Sequence, residues 1–140
     1  MGRVFLVSCV AGKRSEPTPA AELYTSAWFI KARELVEASG EPWFILSAEH
    51  GLLAPDQVIA PYERTLNTIS ASERRDWGQR VQQQIEARPI NADEVVVLAG
   101  NRYRANLMPY LRKRFSKVTV PMEGLTIGRQ LSWLDNAETL

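Results

Sequence analysis

Four short runs of aliphatic and β-branched residues constrain this chain most: "RVFLVSCV" (3–10), "WFILSA" (43–48), "EVVVLAG" (94–100) and "KVTVP" (117–121). They are continuous rather than alternating, so both faces of each strand must be covered. That is the pattern of a parallel sheet packed between helices. Helical periodicity fills the gaps. Trp28, Ala32, Leu35, Val36 and Ser39 recur at helical spacing, with Gly40 as C-cap. Ser70 and Glu73 form a capping-box pair ahead of the stripe Trp77, Val81 and Ile85, and Pro89 follows. Tyr103, Leu107, Tyr110 and Leu111 mark a third helix that Pro109 must bend or start late. A fourth begins at Thr126 and carries Ile127, Leu131 and Leu134. Strands and helices alternating in this order predict an α/β three-layer sandwich with a four-stranded parallel sheet. The length, 140 residues, suits a single domain spanning 1–140.

In such sheets ligands bind outside the carboxyl ends of the strands. Each run here ends in polar groups. The first gives Ser8, Cys9 and Lys13, the second Ser47, Glu49 and His50, the third Gly100, Asn101 and Tyr103, and the fourth Glu123 and Gly124. The connection 51–69 shows no helical pattern, and a loop that long is more often functional than idle. It is expected to fold over the rim.

The net charge of +1 excludes neither a nucleic acid nor a small anion. One cysteine cannot form an internal disulfide, so a cytoplasmic location is expected. The apolar run 4–10 is too short for a signal peptide or a membrane span, and no membrane partner is expected. A single histidine and a single cysteine leave too few soft ligands for zinc, so no metal is expected, and no other cofactor.

His50 fits a proton donor, a hydrogen-bond donor to an anionic leaving group, or a structural cap. Cys9 fits a nucleophile activated by Lys13, or a small buried residue at a strand end. "VAGKR" looks like a phosphate-binding turn but lacks the P-loop spacing, and one phosphate contact through Lys13 is what it allows. Glu49, Asp56, Glu63 and Glu123 are the carboxylates in or near the rim, and Glu123 sits at a strand-to-helix junction. Residues 102–117 hold Arg102, Arg104, Arg112, Lys113, Arg114 and Lys117 with no acid, interleaved with Tyr103, Tyr110 and Phe115. That composition suits either a nucleic-acid surface or a solvated helix face with core aromatics.

The motifs "SCVAGK", "AAELYTSAWF", "WFILSAEHGLLAPDQVIAPYERTL", "LAGNRYRANLMPYL" and "GLTIGRQLSWL" together resemble a family of small bacterial and phage domains of unknown function. A more distant similarity is to the uracil-DNA glycosylase superfamily. That resemblance implies a four-stranded parallel sheet between helices and an active site at the carboxyl strand ends. "SCVAGK" and "VPMEGL" stand where its two motifs would stand, and Ser47 and His50 where it reads the base. The chain differs in having no Asp or Asn at the expected place after the first strand, and Glu123 in place of a histidine. The water-activating residue is therefore not carried over.

The expectation is an enzyme acting on an N-glycosidic bond, foremost a DNA glycosylase that extrudes a modified or damaged base. Glu123 or Glu49 would face sugar or water, and His50, Ser47 and Asn101 would bond the base. Tyr62 or Tyr103 would stack on it, while Lys13, Arg102 and Arg104 hold phosphates and Ser8 and Cys9 line the site. Two alternatives stand beside it: a hydrolase or transferase on a free nucleoside or nucleotide, and a non-catalytic nucleic-acid-binding module. The placement of 102–117 separates them. Contiguity with the rim favours a polymer, and the far side favours a small molecule.

Overall fold

The computed structural model describes residues 2–8 and 13–137. Its frame is a five-stranded, mostly parallel sheet flanked by helices. The strands are β1 (Arg3–Ser8), β3 (Trp43–Ser47), β4 (Gly51–Leu53), β6 (Glu94–Leu98) and β7 (Lys117–Thr119), in the order β4-β3-β1-β6-β7. β2 (Thr18–Pro19) and β5 (Val58–Ile59) form a separate antiparallel ladder. The helices are α1 (Ala20–Leu23), α2 (Ala27–Ser39), α3 (Ala71–Glu86), α4 (Asn101–Arg104), α5 (Met108–Arg114) and α6 (Ile127–Asn136).

β1 runs through the middle, parallel to both β3 and β6. Val4, Phe5, Leu6 and Val7 are buried on both faces, as the continuous apolar run requires. Alternate residues enter two cores. Phe5, Val7, Val96 and Leu98 pack with Phe29, Ala32 and Val36 of α2 and Leu134 of α6. Val4, Leu6, Val95 and Val97 pack with Trp77, Val81 and Ile85 of α3 and Leu111 of α5. Each of the buried Val, Leu, Ile and Phe side chains contributes roughly 1.5–3 kcal/mol by leaving water.

The helix ends follow their sequence signals. Ser26 caps α2, which ends on left-handed Gly40. Ser70 and Glu73 close a full capping box on α3, and Thr126 caps α6. Pro109 sits in the first turn of α5, where its missing N–H is harmless, and splits the expected third helix into α4 and α5. No helix among the described residues is long and apolar enough to cross a membrane.

The sheet departs from the expectation of four parallel strands. β4 is a fifth, antiparallel to β3, and the connection 51–69 therefore begins as a strand. The cause is the turn after β3. Gly51 adopts φ 73°, the left-handed residue that closes a three-residue hairpin loop. The Gln84 side chain fastens that turn, accepting from the Leu52 N–H at 2.7 Å and donating to the His50 carbonyl at 3.0 Å.

Gly51→Ala should therefore destabilise the protein more than Gly40→Ala. Both place a side chain at positive φ, costing roughly 1–2 kcal/mol, but only at residue 51 would a Cβ meet Gln84, 2.2 Å from its Oε1. Urea denaturation of the two variants checks this, and equal losses would contradict it.

Candidate functional site

β1 and β6 are neighbours, yet the helices that follow them, α2 and α5, lie on opposite faces of the sheet. The chain thus leaves their carboxyl ends in opposite directions and opens a crevice, the switch point where doubly wound sheets bind ligands. A cleft of about 770 Å³ occupies it. Ser8 and Lys13 line it from the β1 side, and Gly100, Asn101, Arg102 and Tyr103 from the β6 side. Trp28, Ile127 and Gln130 come from α2 and α6. Glu63, Arg64, Thr65, Asn67 and Thr68 come from a strap, residues 54–69, that follows β4.

The strap is stitched down at its start. The Ala20 and Ala21 N–H groups donate to the Gln57 and Pro55 carbonyls at 2.8 Å each, next to the β2–β5 ladder. Tyr62 then anchors it to the sheet. The fully buried Ser47 hydroxyl donates to Tyr62 Oη at 2.7 Å, and the Tyr62 and Tyr24 hydroxyls share a bond of 2.6 Å. Ser47 Oγ also accepts the His50 N–H at 3.1 Å, and its carbonyl accepts from Trp77 Nε1 at 2.8 Å. The His50 ring stands edge-on to Tyr62, 5.5 Å between centroids. Lys13 Nζ lies 4.6 Å from the Tyr62 ring centroid and 5.9 Å from that of Tyr24, within cation–π reach. Its backbone bridges to Tyr24.

On the other side, Gln130 is held from both ends. Its Oε1 accepts from Trp28 Nε1 and its Nε2 donates to the Leu125 carbonyl, both at 2.9 Å. Tyr103 rests edge-on against Trp77, 5.5 Å between centroids. The Arg104 guanidinium, 11% exposed, donates to the Ala99 carbonyl at 2.9 Å, to Asn101 Oδ1, and to Glu123 at 3.1 Å.

Of the residues singled out in the sequence, Ser8, Lys13, Asn101, Arg102 and Tyr103 converge on the cleft. Ser47, His50 and Tyr62 stand beside Lys13 as a connected group outside its lining. Glu49 lies apart, in a hollow of about 280 Å³ with Arg64, Glu73, Asp76 and Arg80. Arg104 and Glu123 bind each other, and neither lines the cleft. Cys9 lies outside the described residues. Glu63 is the carboxylate among the described residues lining the cleft. Sequence reading missed Trp28, Ile127 and Gln130. Trp28 and Ile127 stand on apolar helical stripes, and Ile127 is 59% exposed.

The basic stretch 102–117 is divided between the two ends of the sheet. Arg102 is at the cleft, but α5 returns along the sheet towards the amino ends of β6 and β7. There Arg114 donates to the Ile90 carbonyl at 3.0 Å and lies over Phe115, and the Ser116 N–H bonds the Asp93 carbonyl. Tyr110 donates to Glu86, and burial followed by that carboxylate pushes its phenol well above the usual range. Arg64, in the strap, pairs with Glu73 at 3.1 Å. Glu73 is held below the usual carboxylate range by the Ser70 backbone and side-chain hydrogen bonds and by Arg64. Among the described residues, no cluster of three His, Cys, Asp or Glu side chains could hold a metal ion.

A doubly wound α/β protein with a cleft at its switch point is the class these features define. The chain belongs to a family of unknown function, DUF6884, whose model matches residues 4–136. No curated protein matches it.

Tyr62→Phe keeps the ring over Lys13 but removes the acceptor of the buried Ser47 hydroxyl. A loss of about 1–3 kcal/mol in unfolding free energy is expected, measured by chemical denaturation. Wild-type stability in this variant would contradict the role assigned to the Ser47–Tyr62 bond.

Proposed function

We propose that this chain is an enzyme acting on the N-glycosidic bond of a free nucleoside or nucleotide bound in the switch-point cleft. The observation that carries the reading is the setting of Glu63. A carboxylate on the strap lines a cleft that also presents cations, amides, hydroxyls and the side chains of Trp28, Tyr103 and Ile127. Cleavage at C1′ develops positive charge on the sugar, and a facing carboxylate stabilises that charge or orients the attacking water. The bonding electrons leave with the base nitrogen, which needs hydrogen-bond donors. In this reading Asn67, Asn101 and the second N–H of the Gln130 amide supply them. His50 acts in this reading through Tyr62, which it braces.

Two further points support the reading. The parallel part of the sheet has four strands with the cleft at their carboxyl ends, the arrangement that the resemblance to the uracil-DNA glycosylase superfamily implies. The position of Arg112, Lys113 and Arg114 near the amino ends of the strands favours a small substrate over DNA, because a duplex seated on the cleft would not reach them.

Free-base release should be assayed from nucleosides, 5′-monophosphates and single- and double-stranded oligonucleotides with varied bases. Release from the free compounds is expected, and Glu63→Gln should lower kcat by about 10²–10⁴ with little change in KM. Release from oligonucleotides alone would move the assignment to a DNA glycosylase. No release from any substrate would end the catalytic reading.

A further inference from the structure

We propose that the cleft contains a binding site for a phosphate monoester, clamped between Lys13 and Arg102. The nucleoside part of this ligand rests on the function proposed above, whereas the phosphate part rests on the charges alone. Lys13 follows β1 and Arg102 follows β6, so the two cations flank the crevice where the chain diverges. Among the described residues, no carboxylate pairs with either. Lys13 is also a placed charge rather than a free surface group. Its backbone is bridged to Tyr24 and its ammonium is held over the rings of Tyr62 and Tyr24, whose hydroxyls bond each other. A cation fixed before binding loses less freedom when it meets its anion.

The charge count fixes the kind of anion. Lys13, Arg64 and Arg102 line the cleft against one carboxylate, Glu63. A phosphate monoester carries about −1.5 to −2 at pH 7, which matches the two positive charges of Lys13 and Arg102. Arg64 is shared, since it also pairs with Glu73 at 3.1 Å, so Lys13 and Arg102 form the standing pair. A polymer backbone presents single charges spaced along a track and calls for cations along a groove. Here the remaining basic cluster is at the other end of the sheet. The free monoester is therefore the source assigned to the phosphate.

Calorimetric titration with a nucleoside, its 5′-monophosphate, inorganic phosphate and an oligonucleotide lacking terminal phosphates tests the site. The monophosphate should bind at least about tenfold more tightly than the nucleoside, a gain of about 1.4 kcal/mol, and inorganic phosphate should compete with it. Lys13→Met and Arg102→Met should each bring the ratio of monophosphate to nucleoside affinity down towards one. Arg112→Ala should leave that ratio unchanged. Equal binding of nucleoside and monophosphate, a ratio untouched by both variants, or tighter binding of the oligonucleotide would overturn the clamp. The two proposals fail separately. Base release from nucleosides with no phosphate preference sinks the clamp and leaves the reaction. A phosphate preference lost in both variants, without base release from any compound, sinks the reaction and leaves the clamp.

Discussion

The hydrogen bond from Ser47 Oγ to Tyr62 Oη is the contact on which the site depends. Ser47 ends a central strand, is fully buried, and also receives the His50 N–H. A hydroxyl in that position must find an acceptor, because burying it unpaired is costly. Tyr62 supplies one, and in doing so ties the strap to the sheet. Residues 63–68 then follow as a wall of the cleft, and Lys13 gains an aromatic face to rest on. His50, the one histidine of the chain, belongs to this device. Its N–H fixes Ser47, its carbonyl is held by Gln84, and its ring braces Tyr62. The glycine after it closes the hairpin that makes these contacts reachable.

Charge is distributed by the same topology. A helix that connects two parallel strands must run back along the sheet, so basic residues adjacent in sequence are separated by its length. Arg102 stays at the carboxyl rim, while Arg114 is delivered beside Ile90, ahead of β6. Arg104 lies between these and is occupied by Ala99, Asn101 and Glu123, which makes it a brace for the strand-end loop. What reads in sequence as one basic surface is three separate settings in space.

Much of the fold was legible because local signals and burial agree. The apolar runs, the Ser70–Glu73 box, Gly40 and Pro109 each mark an element edge that the structure keeps. β4 was not legible, since Gly51-Leu52-Leu53 is too short to carry a period, and its pairing depends on Gln84 from a distant helix. Within the site, the residues that directly follow β1 and β6 could be foreseen from topology, as Ser8, Lys13, Asn101 and Arg102 illustrate. Trp28, Ile127 and Gln130 could not. They sit on helices, where an apolar or amide residue at helical spacing reads as core or surface until the neighbouring helix is placed. Glu123 follows the last strand without joining the cleft lining. Its carboxylate bonds Arg104 instead.

In the proposed binding mode, ligand enters at the switch point and not at the basic end of α5. Amide chemical-shift mapping with a nucleoside 5′-monophosphate tests it most directly. Shifts are expected at Ser8, Lys13, Asn101, Arg102, Tyr103 and Gln130 and in strap residues 63–68, with Arg112, Lys113 and Arg114 unmoved. Shifts confined to residues 110–117, with a silent rim, would contradict it.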